Sequence, residues 1–357
     1  MKNVIYITNQ EIPYKVEFFN QLAKKCNLKV FFETKKQNSR NLKWANSIKN
    51  EYDYEYLYQN KKKKLFSIKL LKSLIKSKDS IIIFGCSNEK IEITTIMLLK
   101  LLRKKYWINI DGEYFLDEKN FKTHIKKLIL KGAHHYMVAG NQIALKFKKD
   151  IKAQNVTPYS FTSLTQKEVL ENANNSNFSN RSDNKILIVS KYSHYKGIDL
   201  ILKMATKDNK NKYCFVGIDK AKNEFEEQIK ELGLNNVEVI PFLQKKELNE
   251  MYRNCKMLIL PSRRECWGLV INEAASHGMP IVSTYGSGAA VEYLQDSYQK
   301  YLAKTNNADD LLEKVKLYEN SSKSEKQKYV NFLLEKSKKY TIENIVDEHI
   351  KAFNEFI

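Results

Sequence analysis

The sequence predicts an α/β chain folded as two doubly wound, Rossmann-like domains, each a parallel sheet with helices packed on its faces. Three observations lead there. Short apolar runs rich in β-branched residues alternate with segments whose apolar residues recur at helical spacing, and this alternation starts twice. A length of 357 residues exceeds what one core ordinarily organises. Between the two series lies TQKEVLENANNSNFSNRSDNK, residues 165 to 185, a polar, Asn/Ser-rich stretch followed at once by the fully apolar ILIVS. The expected domains are therefore 1–164 and 185–340, with a closing helix over about 341–357.

In the first half, NVIYIT reads as a strand and YKVEFFNQLAKKC as a helix, with Val16, Phe19 and Leu22 on one side; LKVFFE is the second strand. Strand, helix, strand implies a right-handed crossover and a parallel sheet. SIIIFG (80–85), KYWINI (105–110) and HHYMVAG (134–140) continue the sheet. The second half repeats the pattern: ILIVS, helix 197–206, KYCFVG, helix 223–232, VEVIP, helix 245–254, MLILPS, helix 268–277 and PIVST. TIENIVDEHIKAFNEF, 341–356, reads as a terminal helix with Thr341 as N-cap and Glu343 in its first turn.

Composition narrows the function. Five cysteines, Cys26, Cys86, Cys214, Cys255 and Cys266, form no CxxC pair, so neither a disulfide framework nor a zinc knuckle is expected, and a reducing cytosol fits. The opening MKNVIYITNQ is too short an apolar run for a signal peptide, and no run reaches membrane-span length. The net charge of +20 is unevenly placed: residues 1–164 hold 32 Lys+Arg against 14 Asp+Glu, whereas the rest hold 29 against 27. Such a field attracts nucleic acid, anionic headgroups or phosphorylated substrates, and charge alone does not choose among them.

The chemistry concentrates in PSRRECWGLVINEA, 261–274, where Glu265 and Glu273 stand eight positions apart. Glu265 falls in the loop after the strand MLILPS and Glu273 about a turn and a half into the next helix, so both can face one crevice at the carboxyl ends of the strands. The N–H groups of Gly268, Leu269 and Val270 open that helix, where unpaired donors and the positive dipole end favour an anion such as a phosphate. In VSKYSHYKGIDLIL, Lys191 and Lys196 bracket another strand-to-helix turn. Cations for a diphosphate and carboxylates for ribose and sugar hydroxyls together suggest a nucleotide-sugar site.

The segment PSRRECWGLVINEAASHGMPIVSTYGSGAAVEYL resembles the signature of glycosyltransferase family 4, retaining enzymes with the GT-B fold of two facing Rossmann-like domains. The resemblance extends through VSKYSHYKGIDLIL and GLNNVEVIPFLQKKELNEMYRNCKMLILPS to the closing helix, which in that fold crosses back to the first domain. In the first half, IPYKVEFFNQL, WINIDGEYF and YSFTSLTQKEVL look like bacterial members that build capsules and other surface polysaccharides. The resemblance implies that Glu265 contacts the transferred sugar near its 3-hydroxyl, Glu273 binds the ribose, and Lys196 with Lys191 holds the diphosphate. It also implies that the acceptor attacks from the face the nucleotide leaves, with Glu265 positioning rather than forming a covalent bond. Four departures stand out: Lys191 where Arg is usual, Ser190 for Gly, FVGID for a Gly-Asp-Gly-like turn, and TNQEIPYK for a glycine-rich loop.

No Asp-x-Asp pair is available to hold a catalytic cation, so neither metal nor cofactor is expected. Asp111 and Glu113 follow the strand KYWINI, where a carboxylate can take the acceptor proton or simply form an Asp-Gly turn. Phe242 is open to a nucleobase contact or a core role. Trp267 is expected in the core behind the site, His194 as an exposed loop residue, and His124, His134 and His135 as structural.

KKKKLFSIKLLKSLIKSK, 61–78, places Leu65, Ile68, Leu71 and Ile75 at helical spacing among lysines. Its apolar stripe suits either an outer helix of the sheet or an anionic bilayer, and LLKLLRKKYW and FKTHIKKLILKG repeat the mixture. The expected protein is thus a cytosolic, membrane-peripheral glycosyltransferase, taking a UDP-sugar and extending a lipid-linked or polysaccharide acceptor. Two other classes compete: a non-catalytic homologue that binds the nucleotide sugar, and a nucleic-acid-binding protein, against which stands the lack of an aromatic RNA motif.

Overall fold

The computed structural model describes residues 1–34, 48–58, 66–77, 79–85, 89–112, 121–176, 178–182, 184–218 and 221–356. Glu113, Cys86, Leu65 with the lysine run before it, and the end of FVGID lie outside them. The chain divides into two compact units, Met1–Phe161 with Ile342–Ile357, and Thr162–Thr341.

Unit 1 runs β1 (Asn3–Gln10), α1 (Pro13–Ala23), β2 (Asn27–Thr34), β3 (Asp53–Tyr58), α2 (Ile68–Lys76), β4 (Ser80–Phe84), α3 (Lys90–Leu101), β5 (Trp107–Ile110), α4 (Phe121–Leu130), β6 (His135–Ala139), α5 (Asn141–Ile151) and β7 (Val156–Tyr159). Among the described residues its sheet has seven strands in the order β3-β2-β1-β4-β5-β6-β7. Every pairing is parallel, with Val4 opposite both Leu28 and Ile81. Parallel strands are covered on both faces, so they read as continuous apolar runs rather than alternating ones. Val30, Phe31 and Phe32 are accordingly all buried.

Right-handed crossovers place α2, α3, α4 and α5, which step rightward through the sheet order, on one face, and α1, which steps leftward, on the other. The remaining helix of this unit, Ile342–Glu355 (α14 in chain order), packs on α1 and β7. β3 and β7 were not expected from the sequence. Both are edge strands; β3 is largely polar, and β7 carries Pro158, which an edge tolerates.

Unit 2 runs α6 (Gln166–Asn174), β8 (Lys185–Val189), α7 (Ile198–Ala205), β9 (Lys212–Val216), α8 (Lys222–Glu231), β10 (Val237–Ile240), α9 (Lys245–Asn254), β11 (Met257–Leu260), α10 (Leu269–Ser276), β12 (Ile281–Thr284), α11 (Gly288–Leu294), β13 (Leu302–Ala303), α12 (Ala308–Glu319) and α13 (Lys323–Ser337). Its parallel sheet is ordered β10-β9-β8-β11-β12-β13. The polar stretch after Leu164 is partly helical for a local reason. Thr165 and Glu168 form a capping box, each side chain bonding the other's backbone N–H, which starts α6.

Three histidines are buried neutral: desolvation pushes His135, His277 and His349 down to about 4. Their folded values lie below the unfolded one of roughly 6.5, so their contribution is intact above that pH and lost as pH falls toward 4. Each is worth up to about 3 kcal/mol, partly offset by half-buried Glu348 and by Asp111 and Glu273, whose raised values act in the opposite sense. Urea midpoints should therefore fall between about pH 7.5 and 5, and fall less in His349→Gln. Equal slopes for the two proteins would remove His349 from this account.

Candidate active site

In unit 2 the sheet order reverses between β8 and β11, and the loops leaving their carboxyl ends flank one crevice. These loops are fastened to each other. The Tyr195 carbonyl accepts from the backbone N–H of Arg263 (2.8 Å) and of Arg264 (3.1 Å). The Arg263 guanidinium donates to the His194 carbonyl at 2.8 Å and grips both Asp199 oxygens at 2.6 and 2.7 Å. Gly197 makes the approach feasible: its φ is +67°, and a Cβ there would lie 2.1 Å from the Pro261 carbonyl oxygen.

This fastening brings Lys196 against Glu265, and the two side chains form an ion pair. Both are mostly covered, at 28% and 16% exposure, which is where a charge-assisted bond counts for more than at an open surface. The Glu265 backbone N–H donates to the Gly286 carbonyl at 2.8 Å, holding the carboxylate's base in place. Gly268 is the N-cap of α10 and has no side chain to bond the first N–H groups of that helix, whose positive dipole end favours an anion. Its φ of +106° and the Ser287 Oγ, 2.9 Å from where a Cβ would sit, both require glycine. Leu269 and Val270 follow, half-buried, as the first residues of α10.

Glu273 sits deeper. Burial pushes its carboxyl up, while the hydrogen bond from the fully buried Tyr252 hydroxyl (2.7 Å), the charge of Lys245 and a hydrogen bond from Ser163 pull the other way. Lys245 is itself paired with Glu168. Tyr252 was not singled out from sequence; its position on α9, buried and aimed at a carboxylate 21 residues later, has no local signature. Lys191 is exposed, Phe242 half-buried beyond β10, and His194 exposed. Trp267 is buried, with its indole N–H donating to Asn272 Oδ1 at 2.8 Å.

Unit 1 has its own polar cluster at the strand carboxyl ends, around Asp111. Its Oδ1 accepts from Asn109 Nδ2 (2.6 Å) and the Tyr159 hydroxyl (2.7 Å). Lys15, only 8% exposed, donates to Thr8 Oγ1 at 2.7 Å and Asn9 Oδ1 at 3.0 Å, and its charge favours ionised Asp111. Burial prevails over these and raises the Asp111 value. His349 joins from α14, its Nδ1 donating to the Ile345 carbonyl at 2.8 Å and its Nε2 lying 2.7 Å from Asn109 Oδ1. A neutral ring that donates from Nδ1 accepts at Nε2, which suits the amide NH2 of Asn109. Turning that amide sets its oxygen against Asp111 and favours a protonated carboxyl, in the same direction as burial. Lys15, Asn109, Tyr159 and His349 were all missed from sequence, because they converge from four separate elements.

Among the described residues, no group of three or more His, Cys, Asp or Glu is arranged to hold a metal ion. No helix among them is long and apolar enough to cross a membrane.

Two Rossmann-like parallel-sheet units in one chain, the second with a paired carboxylate and cation at its switch point, make up the GT-B fold. Residues 170–331 match the family model for glycosyl transferases group 1. An uncharacterized glycosyltransferase of Methanocaldococcus jannaschii is 27% identical over 207 residues, 58% of this chain and 53% of that protein. The Campylobacter jejuni N,N'-diacetylbacillosaminyl-diphospho-undecaprenol alpha-1,3-N-acetylgalactosaminyltransferase is 30% identical over 37% of this chain and 34% of its own length. The chain thus spans about half the first relative and a third of the second. Among solved structures, Anabaena HepE in complex with UDP superposes with a TM-score of 0.72 at 13% identity, over 99% of this chain and all of that one. That likeness is one of fold.

Proposed function

We propose that the chain is a retaining, metal-independent glycosyltransferase of the hexosyltransferase class, moving a sugar from a UDP-sugar to a lipid-linked or polysaccharide acceptor during surface glycan synthesis. The observation that carries this reading is the Lys196–Glu265 pair beside the glycine N-cap of α10. As the anomeric bond breaks, negative charge grows on the diphosphate, and Lys196, Lys191 and the N–H groups of Gly268, Leu269 and Val270 stabilise it where it forms. Glu265 then exchanges its lysine for the sugar hydroxyls, Glu273 accepts from the ribose hydroxyls, and Phe242 flanks the base. In unit 1, Asp111 takes the acceptor proton once ionised. The printed names of the relatives support the donor and acceptor classes: one solved neighbour holds UDP, and the Campylobacter relative acts on an undecaprenol-linked sugar. The basic first half suits work at the inner face of a membrane.

The test is a thermal shift with UDP, GDP, ADP and CMP. A nucleotide at about a hundred times its Kd adds roughly 2.7 kcal/mol. UDP should raise the Tm of the wild type, and Glu273→Ala should abolish the rise. Failure of every nucleotide at millimolar concentration would overturn the donor-site reading.

A further inference from the structure

We infer that the outer surface of α2, α3 and α4 is a bilayer-inserting face that recognises anionic phospholipid. This rests on the reading that the chain works at a membrane, and it assigns that contact to one side of unit 1. The three helices lie on the same face of the sheet by crossover handedness, and they are tied at their ends. Lys100 of α3 donates to the Leu128 and Ile129 carbonyls of α4 at 2.7 and 2.9 Å, and Lys104 donates to the Leu74 carbonyl of α2 at 2.8 Å. Each helix buries one stripe against the sheet, as an outer helix must, through Leu70 and Leu74, Ile96 and Leu99, and Leu130.

A second set of large apolar residues points away from the core. Ile68 is 72% exposed, Leu101 79% and Phe121 77%, joined by exposed Ile75, Met97 and Leu128. Single exposed leucines are ordinary, but such a set on three adjoining helices is a surface awaiting a partner.

Charge chooses the partner. α2 and α4 contain no acidic residue, and the acid within α3, Glu92, is fully buried. Among the described residues acids appear only at the margins, as Asp79, Glu89 and Glu55, the last paired with Lys29 and Lys69; Glu113, Asp117 and Glu118 precede α4 in the sequence outside them. Lys72, Lys76, Arg103, Lys105 and Lys131 are exposed among the apolar side chains. A second copy docked here would oppose like charges across the interface, and a nucleic acid would leave the aliphatic side chains in water. An anionic bilayer satisfies both, with lysine stems lying along the acyl boundary and ammonium groups at the phosphates.

The experiment is sedimentation of the full chain with vesicles of phosphatidylcholine alone or with about one third phosphatidylglycerol. Wild-type protein should bind the anionic vesicles and retain part of that binding as salt is raised, because inserted side chains are not screened. The double variant Leu101→Asp/Phe121→Asp should lose at least tenfold in partitioning with an unchanged melting temperature. Lys72→Gln/Lys105→Gln should lose only the salt-sensitive part. Equal binding by the Asp variant would overturn this face while leaving membrane work intact. No binding by wild type would overturn both, and the nucleotide shift would still report on the donor site. A concentration-dependent dimer dissolved by the Asp variant, or oligonucleotides displacing the vesicles, would equally overturn it.

Discussion

Replacing Lys196 by Ala is expected to weaken UDP binding about 30- to 100-fold while leaving uridine binding within about twofold. The substitution removes a charge-assisted bond of roughly 2–3 kcal/mol to the diphosphate. It also leaves Glu265, mostly covered, without its cation and facing the approaching phosphates. Uridine carries no phosphate and reports only the ribose and base contacts. Calorimetric titration of both ligands decides it. Equal losses for UDP and uridine would mean that Lys196 supports the fold of the loop and not the phosphates. If UDP is unaffected, the diphosphate lies elsewhere.

Replacing Gly197 by Ala is expected to cost about 3–5 kcal/mol of stability, far more than a surface loop substitution ordinarily does. Two costs coincide. A left-handed φ of +67° disfavours any Cβ by about 1–2 kcal/mol, and the new methyl would lie 2.1 Å from the Pro261 carbonyl oxygen, which belongs to backbone and has little room to retreat. The loops after β8 and β11 would have to separate, and Lys196 would leave Glu265. Urea unfolding should show a lowered midpoint, with UDP stabilisation lost in the same variant. An unchanged midpoint would mean that the two loops are not in contact as described.

Much of this was legible because parallel sheets advertise themselves. β8 and β11 are runs of buried aliphatics, and the residues just beyond them fall at the switch point whatever their identity, which is why Lys196, Glu265 and Gly268 were within reach of sequence reasoning. What escaped depends on distance along the chain. Arg263 meets Asp199 and Tyr252 meets Glu273 only after the sheet has set the loops side by side. Nothing near Arg263 marks it as a clamp. β13 is two residues long, and α11 begins in a glycine-containing turn, so neither produces a period to detect. Around Asp111 the gap was wider, since its neighbours come from β1, α1, β5, β7 and α14.

Unit 1 is stitched from both ends of the described chain. Lys2 bonds the Phe353 carbonyl, Lys25 pairs with Asp347, and Glu348 accepts from the Ser160 backbone (2.7 Å) and hydroxyl (2.9 Å). On a ribosome this reverses the order of completion. Unit 2, translated second, has all its strands once residue 303 has emerged and its last helix by residue 337, whereas the unit begun first waits until α14 is released. Through that interval Phe18 of α1 lacks the His349 ring it packs against at 5.2 Å, and Asn109 lacks its imidazole. The polar cluster around Asp111 is therefore assembled only after every element of unit 2 has emerged, a timing set by topology alone.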